Sequence, residues 1–171
     1  MKIRPAVLSV LSFVCVHSAC REPAKVDPPE QPSARTTEPP LIVAVPAGWQ
    51  SVAASDRFGV HQRGLDCGQA KVTVVAGPRA KLPPLSLVVS GMEKDILAAG
   101  GRVVDQTEAG SGMSRLAFFY QDGPRRLAGR LVTGPIADGS LVVIITGLWP
   151  EDHDQKMSAD FDQIVSSVRC E

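Results

Sequence analysis

The residues of this chain that could do chemistry are few: three histidines, four cysteines and a short acidic run. His61 lies in "RFGVHQR", whose alternation with Phe58 and Val60 predicts a strand with His61 on its solvent face. His153 lies in "EDHD", residues 151 to 154, whose oxygen and nitrogen atoms suit a hard or borderline cation. Consecutive side chains do not readily converge on one ion, and the same run suits a helix start. We therefore predict no metal site and no catalytic residue.

Two further features could suggest a binding site, but neither is predicted to be one. The glycine-rich "GSGM", residues 110 to 113, lacks the lysine of a phosphate-binding loop and sits between two strands instead of opening a helix. Trp49 and Trp149 are expected to pack at the edge of the core. Scattered charge on exposed strands is the ordinary interpretation of the arginines in one predicted hairpin. The alternative is a small anion or partner patch made of Arg115, Arg125, Arg126 and Arg130.

The N-terminus has the pattern of a secretory signal. Lys2 and Arg4 precede an apolar run of 12 residues, "PAVLSVLSFVCV", and the small pair Ser18 and Ala19 follows shortly after it. About 18 apolar residues are needed to span a bilayer, so this run is too short for a transmembrane anchor. We predict a signal peptide over residues 1 to 19.

The segment "HSAC", residues 17 to 20, resembles the lipobox of bacterial lipoproteins, in which a small pair precedes a cysteine that is diacylated and becomes the new N-terminus. Ser18, Ala19 and Cys20 match the pattern, whereas His17 departs from it because that position usually carries an aliphatic residue. Ordinary signal cleavage after Ser18 is the alternative. The resemblance implies a lipid on Cys20, attachment to the membrane, and a location in the bacterial cell envelope facing the periplasm or the exterior.

Residues 21 to 40 predict an extended tether. They contain six prolines and almost no large apolar side chain, so the segment cannot bury enough surface to offset its ordering entropy. Proline biases such a chain toward polyproline II, at about 3.1 Å per residue, which gives a reach of roughly 60 Å. A spacer directly after Cys20 would let one globular domain, residues 41 to 171, stand clear of the membrane.

The other cysteines bear on the same question. Cys15 leaves with the signal peptide, and acylation of Cys20 leaves Cys67 and Cys170, an even number in an oxidising compartment. We predict a Cys67–Cys170 disulfide that pins the C-terminal helix to an early turn, with two separate buried thiols as the alternative. A free Cys20 would leave one thiol of three unpaired, so parity favours the lipoprotein interpretation.

Composition and charge bound the class of protein. The chain has 171 residues, 44% of them hydrophobic, which is ordinary for one soluble domain after a leader is removed. Without Lys2 and Arg4, 16 basic side chains stand against 18 acidic ones. Nucleic acid is not expected as a partner, because phosphate binding requires a concentrated positive field.

From residue 41 the pattern predicts strands, a helix, an antiparallel meander and a second helix. "LIVAVP" reads as the first strand, and "AKVTVVA" follows a turn at "GLDCGQ". Helical spacing runs from Pro84 to Ala99; a start at Ser90 that leaves "LSLVV" as a strand is the alternative. Four strand-like runs with two Asp-Gly turns predict the meander, whose last strand is apolar on both faces and therefore central. The stripe of the terminal helix is Met157, Phe161, Ile164, Val165 and Val168.

Three short motifs carry a family resemblance. "VPAGW" after the first strand, "LVVIIT" in the last strand and the terminal "FDQIVSSV" look like the PsbP-like α/β/α sandwich, which includes DcrB-like bacterial lipoproteins. The resemblance covers most of residues 41 to 169 and implies an α+β fold, with an antiparallel sheet flanked by helices. It also implies a non-catalytic role as an adaptor, an assembly factor or a binder.

We therefore expect an exported lipoprotein, not an enzyme, that binds an envelope protein and needs no cofactor. The alternatives are a carrier of a metal or small ligand, and a secreted protein without lipid. A binding role requires an exposed apolar patch or a free arginine face.

Overall fold

The computed structural model describes residues 41–108 and 112–170. The predicted signal peptide, Cys20 and the tether lie outside these residues, as do the first two residues of "GSGM". The described residues form a seven-stranded sheet, a two-stranded ribbon and two α-helices.

The large sheet is antiparallel throughout. Its strands follow in the spatial order β2 (Gln50–Arg57), β3 (Val60–Asp66), β4 (Lys71–Pro78), β8 (Leu141–Pro150), β7 (Arg125–Ile136), β6 (Ser114–Asp122) and β5 (Arg102–Glu108). The predicted meander is β5 to β8, and β8 is the fourth of seven strands. Its central position follows from its sequence, because a strand that is apolar on both faces needs cover on both sides.

One helix lies on each face of the sheet. α1 (Leu85–Ala98) packs on the face of β6 and β7, where Ile96 is fully buried against Leu116 and Leu131. α2 (Asp154–Ser167) packs on the other face through Phe161 and Ile164. This arrangement is the predicted α/β/α sandwich, and the α+β class is confirmed. Neither helix is long and apolar enough to cross a bilayer, nor is any other helix within the described residues.

α1 begins at Leu85, so the first of the two predicted starts is correct. The carbonyl of Pro84 accepts hydrogen bonds from the backbone N–H groups of Leu87 and Val88, at 2.9 and 3.1 Å. Proline suits this position because its missing N–H would have no helical partner. The helix ends where predicted, since Gly100 adopts a φ of 74° that favours glycine.

The first strand is shorter than predicted. β1 contains only Leu41–Ile42 and pairs with β9, Arg169–Cys170, after the end of α2. The chain then runs alongside α2: Ala44 N–H donates to Ser167 Oγ at 2.9 Å, and Trp49 Nε1 donates to Asp160 Oδ2 at 3.0 Å. Hydrogen bonding to the helix therefore replaces the strand ladder that "LIVAVP" predicted.

Candidate functional site

The two cysteines of the domain are free thiols and lie at opposite ends of α2. Cys67, in the β3–β4 turn, contacts Met157 in the first turn of the helix, with 4.0 Å between the sulfur atoms. Cys170 lies beyond the other end and pairs with Leu41. A helix of 14 residues spans about 21 Å, whereas a disulfide requires Cα atoms within about 7 Å. The predicted Cys67–Cys170 bridge is absent from this structure.

His61 is buried, at 7% exposure, and the prediction of a solvent-facing histidine is wrong. Strand β3 begins only at Val60, so no strand alternation runs through Phe58. Phe58 was taken as a core-facing strand residue, whereas it lies in the β2–β3 turn and is 89% exposed. Leu65, four residues after His61 on the same face, is the residue that enters the core.

The buried histidine belongs to a small ionic cluster across the β2–β3 hairpin. His61 Nδ1 lies 2.8 Å from Asp56 Oδ1, and the Arg63 guanidinium donates to both oxygens of Asp56 at 2.7 and 3.1 Å. The hydrogen bond from Arg63 is the main cause that lowers the pKa of Asp56, and the contact with His61 lowers it further against a desolvation that raises it. The cluster fastens β2 to β3, which is a structural role.

The acidic run "EDHD" does not converge on a cation. Asp154 points toward the sheet, where it accepts hydrogen bonds from Trp149 Nε1 at 2.9 Å and Arg130 Nη2 at 3.0 Å. Asp152 points into solvent, with its side chain 80% exposed and 3.8 Å from His153. Among residues 41–108 and 112–170, no group of three or more His, Cys, Asp or Glu side chains could hold a metal ion.

The arginines do not form a free patch for anions. Three of the four predicted arginines share the face of the sheet that α2 covers, and each meets an acidic group of α2 or of the turn before it. The pairs are Arg115 with Asp162 at 3.1 Å, Arg126 with Glu151 at 3.4 Å, and Arg130 with Asp154 at 3.0 Å. The three arginines of this face are therefore paired with acidic side chains of the same chain.

Two shallow depressions lie at this end of the sheet. The larger, of about 600 Å³, is lined by Pro124, Arg125, Arg126, Leu127, Pro150, Glu151 and Asp152. The smaller, of about 380 Å³, is lined by Asp152, His153, Gln155 and Lys156. Both mix acidic and basic side chains, so neither provides the field of a single sign that would concentrate a charged ligand.

The structure instead exposes an apolar surface on α1. The residues of this helix that point away from the sheet, called here the outer face of α1, are Leu87, Ser90, Gly91, Lys94, Leu97 and Ala98. Leu87 and Leu97 are 63% and 56% exposed. The first eight residues of the helix, 85 to 92, carry no charge, although a surface helix normally places charged side chains opposite its core stripe. Lys94 is the charged member of the outer face, and the half-buried Asp95 lies at its edge.

Gly91 lies in the middle of the outer face. Glycine in a helix interior costs about 1 kcal/mol relative to alanine. A Cβ atom at Gly91 would meet nothing within 4 Å, whereas one at Gly147 would collide with the rings of Trp149 and Phe161. Packing within the described domain therefore explains Gly147 and does not explain Gly91. The open space above Gly91 would let another backbone approach the helix closely.

A second exposed apolar group lies at the tip of the β2–β3 hairpin. Phe58 and Gly59 both have left-handed backbone conformations, with φ of 55° and 72°. This suits a two-residue turn between twisted strands, but a bulky residue there is strained. Phe58 is a single side chain at the tip, whereas the outer face of α1 carries two exposed leucines.

The sequence itself indicates that the outer face of α1 carries few charges. The helical spacing from Leu85 to Ala99 predicts the side of the helix that faces the core and says nothing of the opposite side. The uncharged run "LSLVVSGM" was the available sign that the opposite side of the helix is apolar as well.

Comparisons with known proteins bear on the fold. No protein-family model matches the chain, and no curated protein matches it. LpqN, described as involved in cell envelope biogenesis of Mycobacterium tuberculosis, is similar in structure, with a TM-score of 0.55, 14% identity, and coverage of 80% of this chain and 86% of LpqN.

Two further solved structures have TM-scores of 0.45. PA94, a Pseudomonas aeruginosa protein of unknown function, is 13% identical over 77% of this chain and 83% of its own. The PsbP protein of Synechocystis sp. PCC 6803, CyanoP, is 12% identical over 84% of this chain and 98% of its own. The likeness to LpqN, at 14% identity, shows a shared fold alone.

Proposed function

We propose that this protein is a bacterial envelope lipoprotein that acts without catalysis, by binding a protein partner through the outer face of α1. The observation that carries the proposal is the exposure of Leu87 and Leu97 on a helix whose first eight residues carry no charge. Contiguous exposed apolar surface is characteristic of interaction sites, since its contact with water is unfavourable until a partner covers it.

The location rests on the N-terminal sequence. The short apolar run, the "HSAC" motif and the proline-rich tether together favour export and a lipid on Cys20. LpqN, which shares the fold, is described as taking part in cell envelope biogenesis, and this supports the same compartment here. A domain on a tether with a reach of roughly 60 Å can present α1 to partners at a distance from the membrane.

The binding role is tested by photo-crosslinking in the native envelope. The full chain carries a benzophenone amino acid in place of Ala98, at the rim of the outer face. We expect a discrete adduct that is lost in Leu87→Lys and in Leu97→Glu, because each change buries an unpaired charge in an apolar contact. Phe58→Lys, which also replaces an exposed apolar side chain, is the matched control and should leave the adduct unchanged. Absence of any adduct would refute binding at this face.

The anchor is tested separately by metabolic labelling with palmitate. We expect the label in the wild-type chain and its loss in Cys20→Ser, with Cys67→Ser as a control that keeps the label. Equal labelling of Cys20→Ser and wild type would refute the anchor without bearing on the outer face.

A further inference from the structure

We infer that the end of the domain that joins the tether rests on a lipid surface, with Phe58 entering the headgroup region and Arg57 and Arg79 contacting lipid phosphates. This contact is separate from the outer face of α1. It rests on the proposed location in the envelope, because the tether that follows Cys20 meets the domain here. Three observations carry it: the strained exposure of Phe58, the basic residues beside it, and the position of Leu41.

Folding of the domain does not account for the ring of Phe58. The side chain is 89% exposed and so contributes little to the core. The backbone φ of 55° is strained for a bulky residue, whereas glycine and asparagine adopt it readily. Stability alone would therefore favour another residue in this turn. Strain of this kind is typical of functional positions, and here it places an aromatic ring in contact with something outside the domain.

Basic residues lie beside the ring. Arg57 precedes Phe58 and is exposed at the end of β2. A Cβ atom at Gly77 would lie 3.1 Å from the carbonyl oxygen of Gly59, so the hairpin tip packs against the end of β4. The chain leaves β4 through a turn, Arg79–Lys81, that is exposed throughout. The tip is therefore apolar at its centre, with arginines on two sides.

The acid nearest to the tip in sequence is already occupied. Asp56 accepts hydrogen bonds from the Arg63 guanidinium at 2.7 and 3.1 Å and lies 2.8 Å from His61 Nδ1. Its negative charge is thus compensated within the hairpin. The positive charges of Arg57 and Arg79 remain to attract an anionic surface.

The tether reaches the domain at this same end. The first turn of α2 lies at the opposite end, where Met157 contacts Cys67 beyond the end of β3. A helix of 14 residues spans about 21 Å, which is close to the length of a seven-residue strand such as β3. The chain after α2 is Arg169–Cys170, which pairs with Leu41. Leu41 therefore lies at the end of the sandwich where the β2–β3 hairpin turns.

The form of this surface favours a lipid over a protein. A standard protein interface buries roughly 1,200 Å² or more, and a hairpin tip with two turn residues presents much less. A bilayer interface accepts protruding apolar side chains, and anionic headgroups attract nearby arginines. The contact is weak by itself, but a lipid on Cys20 would raise its effective concentration.

Photo-crosslinking to radiolabelled lipid tests the contact in the full chain, purified from the envelope and placed in vesicles. The benzophenone amino acid replaces Ala80, which is exposed beside the tip. We expect a lipid adduct in phosphatidylcholine vesicles with about 30% phosphatidylglycerol, and one at least about fivefold weaker in phosphatidylcholine alone. The same amino acid at Gln155, exposed in the first turn of α2, should give no lipid adduct.

Two substitutions separate the ring from the charge. Phe58→Asn should reduce the adduct about tenfold, because the apolar ring is lost. It should also raise the melting temperature, since asparagine tolerates the left-handed backbone, so unfolding would not explain the loss. Arg79→Glu should reduce the adduct at least about fivefold. Val52→Asn and Lys156→Glu change exposed side chains of the same kinds away from the tip, and they should leave the adduct unchanged.

The outcomes separate this inference from the proposed function. The inference is overturned by the absence of a lipid adduct at Ala80, by an adduct that Phe58→Asn leaves unchanged, or by an adduct in the native envelope that contains a protein instead of lipid. A palmitate label on the chain without this lipid adduct leaves the anchor and the outer face standing. A lipid adduct on a chain that takes no palmitate refutes the anchor and leaves this contact standing.

Discussion

Asp154 is the residue on which the attachment of α2 to the sheet depends. It is the first residue of the helix and accepts hydrogen bonds from Trp149 Nε1, Arg130 Nη2 and Ser158 Oγ at 2.9 to 3.1 Å. Trp149 is 1% exposed, and the Arg130 guanidinium lies 5.8 Å from the centre of its ring. A carboxylate at this position thus satisfies a buried indole N–H and a partly buried cation, and its negative charge also favours the helix N-terminus.

Replacement of Asp154 should lower the stability of the protein, whereas replacement of another acidic residue of the same helix should have little effect. We expect Asp154→Ala to lower the free energy of unfolding by about 1–3 kcal/mol, because the Trp149 N–H is left buried without a partner. The control is Asp162→Ala, which removes an ion pair whose acid is 61% exposed and should cost less than about 1 kcal/mol. Urea unfolding at neutral pH measures both, and equal losses would contradict this account.

The Asp56 cluster gives the hairpin a predicted pH dependence. Because the pKa of Asp56 is lowered below 3.8 in the folded chain, its contribution to stability is present above that value and is lost as pH falls through the folded-state pKa. The carboxylate is 52% exposed, so the contribution should be at most about 1 kcal/mol.

Asp56→Asn should reveal this dependence. Urea unfolding of variant and wild type should differ most above about pH 5, and the difference should shrink as pH falls through the lowered pKa of Asp56 in the folded chain. A difference that is independent of pH would show that the ionic contact with Arg63 does not stabilise the hairpin.

At the scale of the elements, the contact between α2 and β8 depends on the absence of a side chain at Gly147. A Cβ atom there would lie 2.6 Å from the ring of Trp149 and 2.7 Å from the ring of Phe161. The two rings lie 5.8 Å apart between centres, inclined at 55°. Phe161 can therefore lie directly on the strand, and the aromatic pair fills the space that a side chain would take.

Gly147→Ala should destabilise the protein because the added Cβ atom collides with the ring of Phe161 in particular. We expect a loss of about 1–3 kcal/mol from overpacking. The same substitution in a Phe161→Leu background should cost less, because the smaller side chain removes part of the collision. Thermal and urea unfolding of the four proteins complete the double-mutant cycle, and additive losses would show that Phe161 is not the residue that Gly147 accommodates.

At the scale of the whole molecule, α2 separates the two thiols that the sequence predicted to be bonded. Cys67 and Cys170 are both free and half-buried, and burial raises the pKa of the Cys170 thiol. A raised pKa lowers the thiolate fraction, and the thiolate is the reactive species. Burial and the raised pKa both slow reactions of the Cys170 thiol, and Cys67 is shielded by its partial burial.

Alkylation under non-reducing conditions tests this arrangement. We expect the denatured protein to take a label on both Cys67 and Cys170, and Cys170 in the folded protein to react more slowly than a free cysteine. A protein that takes no label at either position before reduction would show that the bridge forms and that the ends of α2 lie closer together than described here.

Much of the fold could be predicted from the sequence because its signals are local. Pro84 and the paired glycines 100 and 101 bound α1, the Asp-Gly turns predicted the meander, and the uninterrupted apolar run of β8 predicted its central position. Backbone stereochemistry and the period of apolar side chains act over a few residues, so a linear pattern is sufficient to detect them. The proposed anchor at Cys20 likewise depends on the N-terminal sequence alone.

Tertiary structure decided the pairing and exposure of the side chains. Whether His61 points inward depends on where the β2–β3 hairpin turns, and whether the arginines are free depends on the acids that α2 brings to them. The separation of Cys67 from Cys170 follows from the length and direction of that helix. The outer face of α1 is apolar by sequence, but its exposure follows from a sheet that covers only one side of the helix. These properties arise between segments distant in the chain, so no local pattern contains them.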